Sequence, residues 1–151
     1  MKIRTFGTLI LATAFVIGSG TLLAQSWKGW RGSGGWGPGS PYQRMYDPKT
    51  VQTVSGTVES VDKAMPLHGM NPGIHLILKT DKGMLRVDLG PEWYIQRLDT
   101  KIDKGDQVEV KGSMVKIDGK EALIAAEVKK GGETLALRDA AGIPAWAGWR
   151  R

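Results

Sequence analysis

Residues Gly73–Leu98, GIHLILKTDKGMLRVDLGPEWYIQRL, decide how the chain is read. Ile74, Leu76 and Leu78 alternate with His75, Ile77 and Lys79, the two-residue period of a strand with one buried face. Asp81-Lys82-Gly83 supplies a short hairpin connection, with glycine placed for a positive φ. A second strand, Met84–Leu89, turns Leu85, Val87 and Leu89 inward and Met84, Arg86 and Asp88 outward. Pro91 and Glu92 suit the first turn of a helix over Glu92–Leu98, with Tyr94 and Leu98 on one face. A helix this short is stable only when packed, which predicts a plug on a larger body.

Working outward, Thr50–Lys63 reads as a preceding strand. Val61 falls out of step with Val54 and Val58, which together with Gly56 predicts a bulge or sharp bend. The loop Met65–Pro72, MPLHGMNP, joins this strand to the hairpin. Beyond the helix, Gly105–Gly112 turns Val108 and Val110 inward, and the run continues through Met114–Ile117 to an Asp118-Gly119 hairpin signal. Glu121–Lys129 follows, then a short strand at Glu133–Arg138, and Asp139–Arg151 is irregular. This order predicts an all-β fold with one short helix, a five- to six-stranded OB-fold-like Greek-key barrel.

The ends are different in kind. Residues 1–24 carry Lys2 and Arg4, an apolar run over Thr8–Ile17 and the small-residue end Leu22-Leu23-Ala24, the order of a secretory signal peptide. Residues 25–49 are rich in Gly, Ser, Pro and Trp without an apolar period, which predicts a flexible linker. The barrel is expected over residues 50–139 and a Trp/Arg tail over 140–151. Trp27-Lys-Gly-Trp30-Arg31 and Trp146-Ala-Gly-Trp149-Arg150 repeat one pattern on either side of the barrel. Such aromatic-cationic ends suit a partner or a lipid headgroup surface, and the competing expectation for Trp146 and Trp149 is packing on the barrel wall.

The chain has 151 residues and a formal net charge of +6, of which Lys2 and Arg4 would leave with the signal segment. The remaining excess is compatible with an anionic partner and falls short of a nucleic-acid polycation. There is no cysteine, which excludes disulfides, thiolate metal sites, thiol catalysis and covalent haem attachment. The expected location is exported, in the periplasm or cell envelope, without a transmembrane span beyond the leader.

The chain resembles a bacterial exported OB-fold family, the domain shared by the magnetosome proteins MamS and MamX. The residues that carry the resemblance are H-L-x-L-x-T at His75–Thr80, L-G-P-x-W-Y at Leu89–Tyr94 and G-D-x-V-x-V-x-G-S at Gly105–Ser113. The ending L-x-L-R-D-x-x-G-x-P-x-W at Leu135–Trp146 also fits. Some similar small exported proteins are described as DNA-binding. The haem-carrying members use Cys-x-x-Cys-His, absent here, so no haem role carries over. The resemblance implies binding of a ligand or partner rather than a defined reaction.

Barrels of this kind bind on the face of strands two and three, beside the loops that flank it. The expected ligand-binding residues are therefore His75, Lys79, Met84 and Arg86, with Trp146, Trp149 and Arg150 as further contacts to a protein, envelope component or small ligand. A second expectation is a soft-metal site at Met65, His68 and Met70 with His75, because thioether and imidazole ligands select copper. No other cofactor is expected. Single-stranded nucleic acid is a third reading, weakened by the lack of an aromatic residue beside Lys79 and Arg86. No Ser/His/Asp spacing, phosphate-binding glycine loop or H-E-x-x-H motif points to an enzyme.

Overall fold

The computed structural model describes residues 34–147. The expected signal segment, Trp27, Trp30, Arg31, Trp149 and Arg150 lie outside the described residues. Six strands and one helix follow in order: β1 (Val51–Ala64), β2 (Gly73–Thr80), β3 (Gly83–Pro91), α1 (Glu92–Ile95), β4 (Gln107–Ile117), β5 (Lys120–Lys130) and β6 (Glu133–Ala136). The sheet order is β3-β2-β1-β4-β5-β6, and β3 closes the barrel by pairing with β5. That closing pair is parallel and the other pairings are antiparallel. A closed five-stranded barrel with its helix between the third and fourth strands is an OB-fold, as expected, and β6 extends it along β5.

The long first strand serves both sides of the barrel. Its first half pairs with β4 from Val51 to Thr57, and its second half pairs with β2 from Thr57 to Ala64. The register slips between Val58 and Ser60, the bulge that puts Val61 out of step. Asp118 and Gly119 both take positive φ, +52° and +74°, which suits the tight turn from β4 to β5. Leu76, Leu78, Val87, Val110 and Leu123 fill the interior and are fully buried. The helix is shorter than its pattern suggests. It ends at Ile95, and Arg97 and Leu98 continue as tighter turns bonded back to Tyr94 and Ile95.

The expected linker is corrected by the structure over its described part. Residues 34–49 pack on the barrel rather than swing free: Trp36 and Tyr42 are each 1% exposed and Tyr46 is 8% exposed. Trp146, from the expected tail, is equally buried at 1%. The physical reason lies on β5, where Ala122, Leu123, Ile124, Ala125 and Ala126 are all buried. A strand apolar on both faces needs a cover outside the barrel as well as a core within it. Trp36 meets Tyr42 edge-on with ring centroids 5.0 Å apart, and Trp146 meets Tyr94 at 5.2 Å. Each indole also satisfies its N–H: Trp36 donates to Asn71 O and Trp146 donates to Trp36 O.

Two glycines of the deciding stretch make room for this cover. A Cβ on Gly73 would stand 2.1 Å from Trp36 Cζ2, and one on Gly90 would stand 2.8 Å from Trp146 Cη2. They lie at neighbouring positions across the β2–β3 ladder, where Gly73 pairs with Pro91 and Ile74 with Gly90. The bare backbone there is a seat for two indoles. At about 25 cal/mol per Å² and 150–250 Å² per aromatic side chain, each buried indole contributes roughly 4–6 kcal/mol before ordering entropy.

Candidate functional site

The outward side chains of β2 and β3 form three cross-strand pairs: His75 with Asp88, Ile77 with Arg86, and Lys79 with Met84. The ladder thus brings the four predicted residues His75, Lys79, Met84 and Arg86 onto one face. The two ends of that face meet different surroundings.

At one end the covering segment closes over it. Asp88 is 1% exposed and accepts three hydrogen bonds, from Tyr42 Oη at 2.9 Å, Arg86 Nε at 2.7 Å and Arg86 Nη2 at 3.1 Å. Arg86 is therefore held by a buried carboxylate. Burial, reinforced by Asp88, pushes the Tyr42 phenol well above its ordinary value. Arg138 lies in the same layer. Its Nη1 donates to the Leu89 and Ala125 carbonyls, and its guanidinium stands 4.9 Å from the Trp146 ring centroid. Burial holds Arg138 below the usual guanidinium value, and Tyr42 and Asp88 oppose that effect. His75 is half-buried, with Nε2 3.9 Å from Asp62 Oδ2 and a buried Nδ1 that has no hydrogen-bond partner.

The expected contact at Trp146 is corrected here: its ring belongs to the buried layer, because Gly90, Tyr94 and Arg138 surround it. The proposed copper ligands are divided in a similar way. Met65 and His68 are exposed, whereas Met70 is 7% exposed and packs beneath Gly35. Met70 thus spends its side chain on packing, a common use of methionine. Among the described residues no group of three or more His, Asp or Glu side chains is placed to hold a metal ion.

The other end of the face is open. Lys79 and Met84 are exposed, Met84 at 59%. Beside them runs a groove of about 680 Å³ lined by Gln52–Ser55 of β1, Thr80–Leu85 of the β2–β3 hairpin, Met114 of β4 and Glu121 of β5. Val54, Leu85 and Met114 form its apolar part, and hydroxyl, amide and charged groups form the rest. A second, smaller pocket of about 270 Å³ lies beside α1, lined by Val61, Ile74, Leu89, Ile95, Ile102 and Leu135 with a polar rim.

Of the predicted residues only Met84 lines the larger groove. Gln52, Thr53, Ser55, Met114 and Glu121 were missed, and strand length was the available signal. A first strand nearly twice as long as the second must outrun it, leaving an overhang and a space beside it.

No helix among the described residues is long and apolar enough to cross a membrane. None of the curated proteins matches the sequence. Among solved structures, the chain is similar to the N-terminal domain of PriB protein from Thermoanaerobacter tencongensis, described as dimeric. That similarity has a TM-score of 0.40 at 14% identity, covering 56% of this chain and 99% of the other. Residues 50–135, from the start of the barrel to β6, match the MamS/MamX magnetosome protein family. With more than half of its length matched in this way, the chain belongs to the MamS/MamX magnetosome protein family.

Proposed function

We propose that this protein is an exported, non-catalytic binding module of the cell envelope, and that it holds its partner in the groove between β1 and the β2–β3 hairpin. The observation that carries this reading is the groove itself. It is about 680 Å³, lies at the uncovered end of the strand two–three face, and combines an apolar floor of Val54, Leu85 and Met114 with polar walls. More of its exposed lining is polar than apolar, which suits a partner held by polar and main-chain contacts around a small apolar patch. Family membership and the OB barrel support a binding role over a catalytic one. The carboxylates lining the groove, Asp81 and Glu121, share it with Lys82 and with no histidine.

The test is site-specific photo-cross-linking in the envelope. A photoreactive residue at Met84 is expected to give one discrete adduct, while the same group at the exposed Lys49, outside the groove, gives none. Identical adduct patterns from both positions, or none from Met84, overturn the reading.

A further inference from the structure

The backbone of β1 says more about the occupant than the side chains do. In an antiparallel ladder, successive residues turn their N–H and C=O groups to opposite sides. Val58 N–H donates to Asp106 O at 2.9 Å, and Val58 O accepts from Gly105 N–H at 2.7 Å, so Val58 faces β4. The β1–β4 register runs without a slip from Thr57 back to Val51. Alternation therefore turns Gly56, Val54 and Gln52 toward β4, and turns Thr57, Ser55 and Thr53 the other way. Thr57 meets Lys79, the last β2 position opposite β1. On that side, away from β4, Ser55 and Thr53 meet no strand among the described residues, and both are exposed along the groove.

This edge is also unguarded. Sheet edges are usually blunted by charge, proline, a bulge or short length. β6, the outer strand of the sheet, has only four residues and carries Glu133. Val51–Gly56, VQTVSG, has neither charge nor proline, and the bulge of β1 lies beyond it at Val58–Ser60. Its length of six residues spans on the order of 20 Å.

We propose that the groove takes an extended segment of a partner protein by strand addition: the segment pairs with Thr53 and Ser55 and continues the line of β2 past its end. This rests on the groove being the recognition site. Main-chain bonds to the edge supply affinity, and alternate side chains of the segment meet Val54, Leu85 and Met114. The partner sequence therefore needs apolar residues at every second position over about four to five residues.

A random ten-residue linear peptide library on phage, panned on the purified chain, supplies the probe, and the selected peptide is then synthesised. Two further versions carry N-methyl groups at alternate residues, one version in each register. The expected result is at least tenfold weaker binding for one register and little change for the other, with amide hydrogen exchange at Thr53 and Ser55 slowed at least tenfold by the unmodified peptide. If the peptide protects the groove but both methylated versions bind alike, strand addition fails and the groove reading stands. If no peptide is selected, or protection maps away from the groove, both fall. Protection of Thr53 and Ser55 that rises with protein concentration alone assigns the edge to a second copy and overturns the proposal.

Discussion

The two ends of the β2–β3 face carry the same outward alternation and have opposite fates. At the His75–Asp88 end, the covering segment converts an outward carboxylate into a buried one bonded to Tyr42 and Arg86. At the Lys79–Met84 end nothing among the described residues lies over the strands, and a groove opens beside them. What separates them is not strand pattern but the aromatic content of a segment far away in sequence. A face that looks like one surface is half covered layer and half open groove.

This contrast can be broken by stability measurements. Trp146→Ala is expected to lose about 3–5 kcal/mol in a denaturant titration, because a fully buried indole leaves a cavity under Tyr94 and Arg138. A loss no larger than that of a surface substitution would place Trp146 outside the layer. Gly73→Ala is expected to cost about 1–3 kcal/mol, since the added methyl meets Trp36 Cζ2 and Gly90 O. The near-ultraviolet circular dichroism of the indoles should change with it.

Tyr42→Phe is smaller, about 1–2 kcal/mol, for one buried hydrogen bond to a charged acceptor. Its pH dependence has a definite sign. Burial raises the folded-state pKa of Tyr42 above the unfolded value. Its contribution is therefore complete below the unfolded phenol range, about 10, and is lost as pH rises above it. The melting-temperature gap between the wild-type chain and Tyr42→Phe should narrow above about pH 10. A gap that widens there would contradict the buried neutral phenol. At the open end, Met84→Ala is expected to stay within about 0.5 kcal/mol of the parent while weakening capture by the groove. A stability loss comparable to Trp146→Ala would erase the distinction between the two ends.

Much of the barrel was legible because period and punctuation are local. Ile74, Leu76 and Leu78 announce their face by alternation, Asp118-Gly119 announces its turn, and Val61 announces the bulge by falling out of step. The helix was legible in place but not in length, since its end depends on packing rather than on a stop signal within Glu92–Leu98. Trp36 and Tyr42 were missed because an irregular cover has no period to detect. Met70 and Trp146 had functional residue types in suggestive patterns, and their burial depends on partners such as Gly35 and Gly90 distant in the chain.

By itself the sequence determined the Gly73–Leu98 hairpin and helix, the strand order around them and hence the OB barrel, because these follow from alternation and turn chemistry between near neighbours. Only the tertiary structure decided which part of its outer face is available. That choice turns on Trp36, Tyr42 and Trp146 docking against Gly73, Asp88 and Gly90 of β2 and β3 and on β1 outrunning β2, with contacts between residues as many as 110 positions apart. The reading of Gly73 and Gly90 changed with it: their missing side chains seat two indoles. Burial is a property of the assembled surfaces, and no local pattern encodes which surface will arrive.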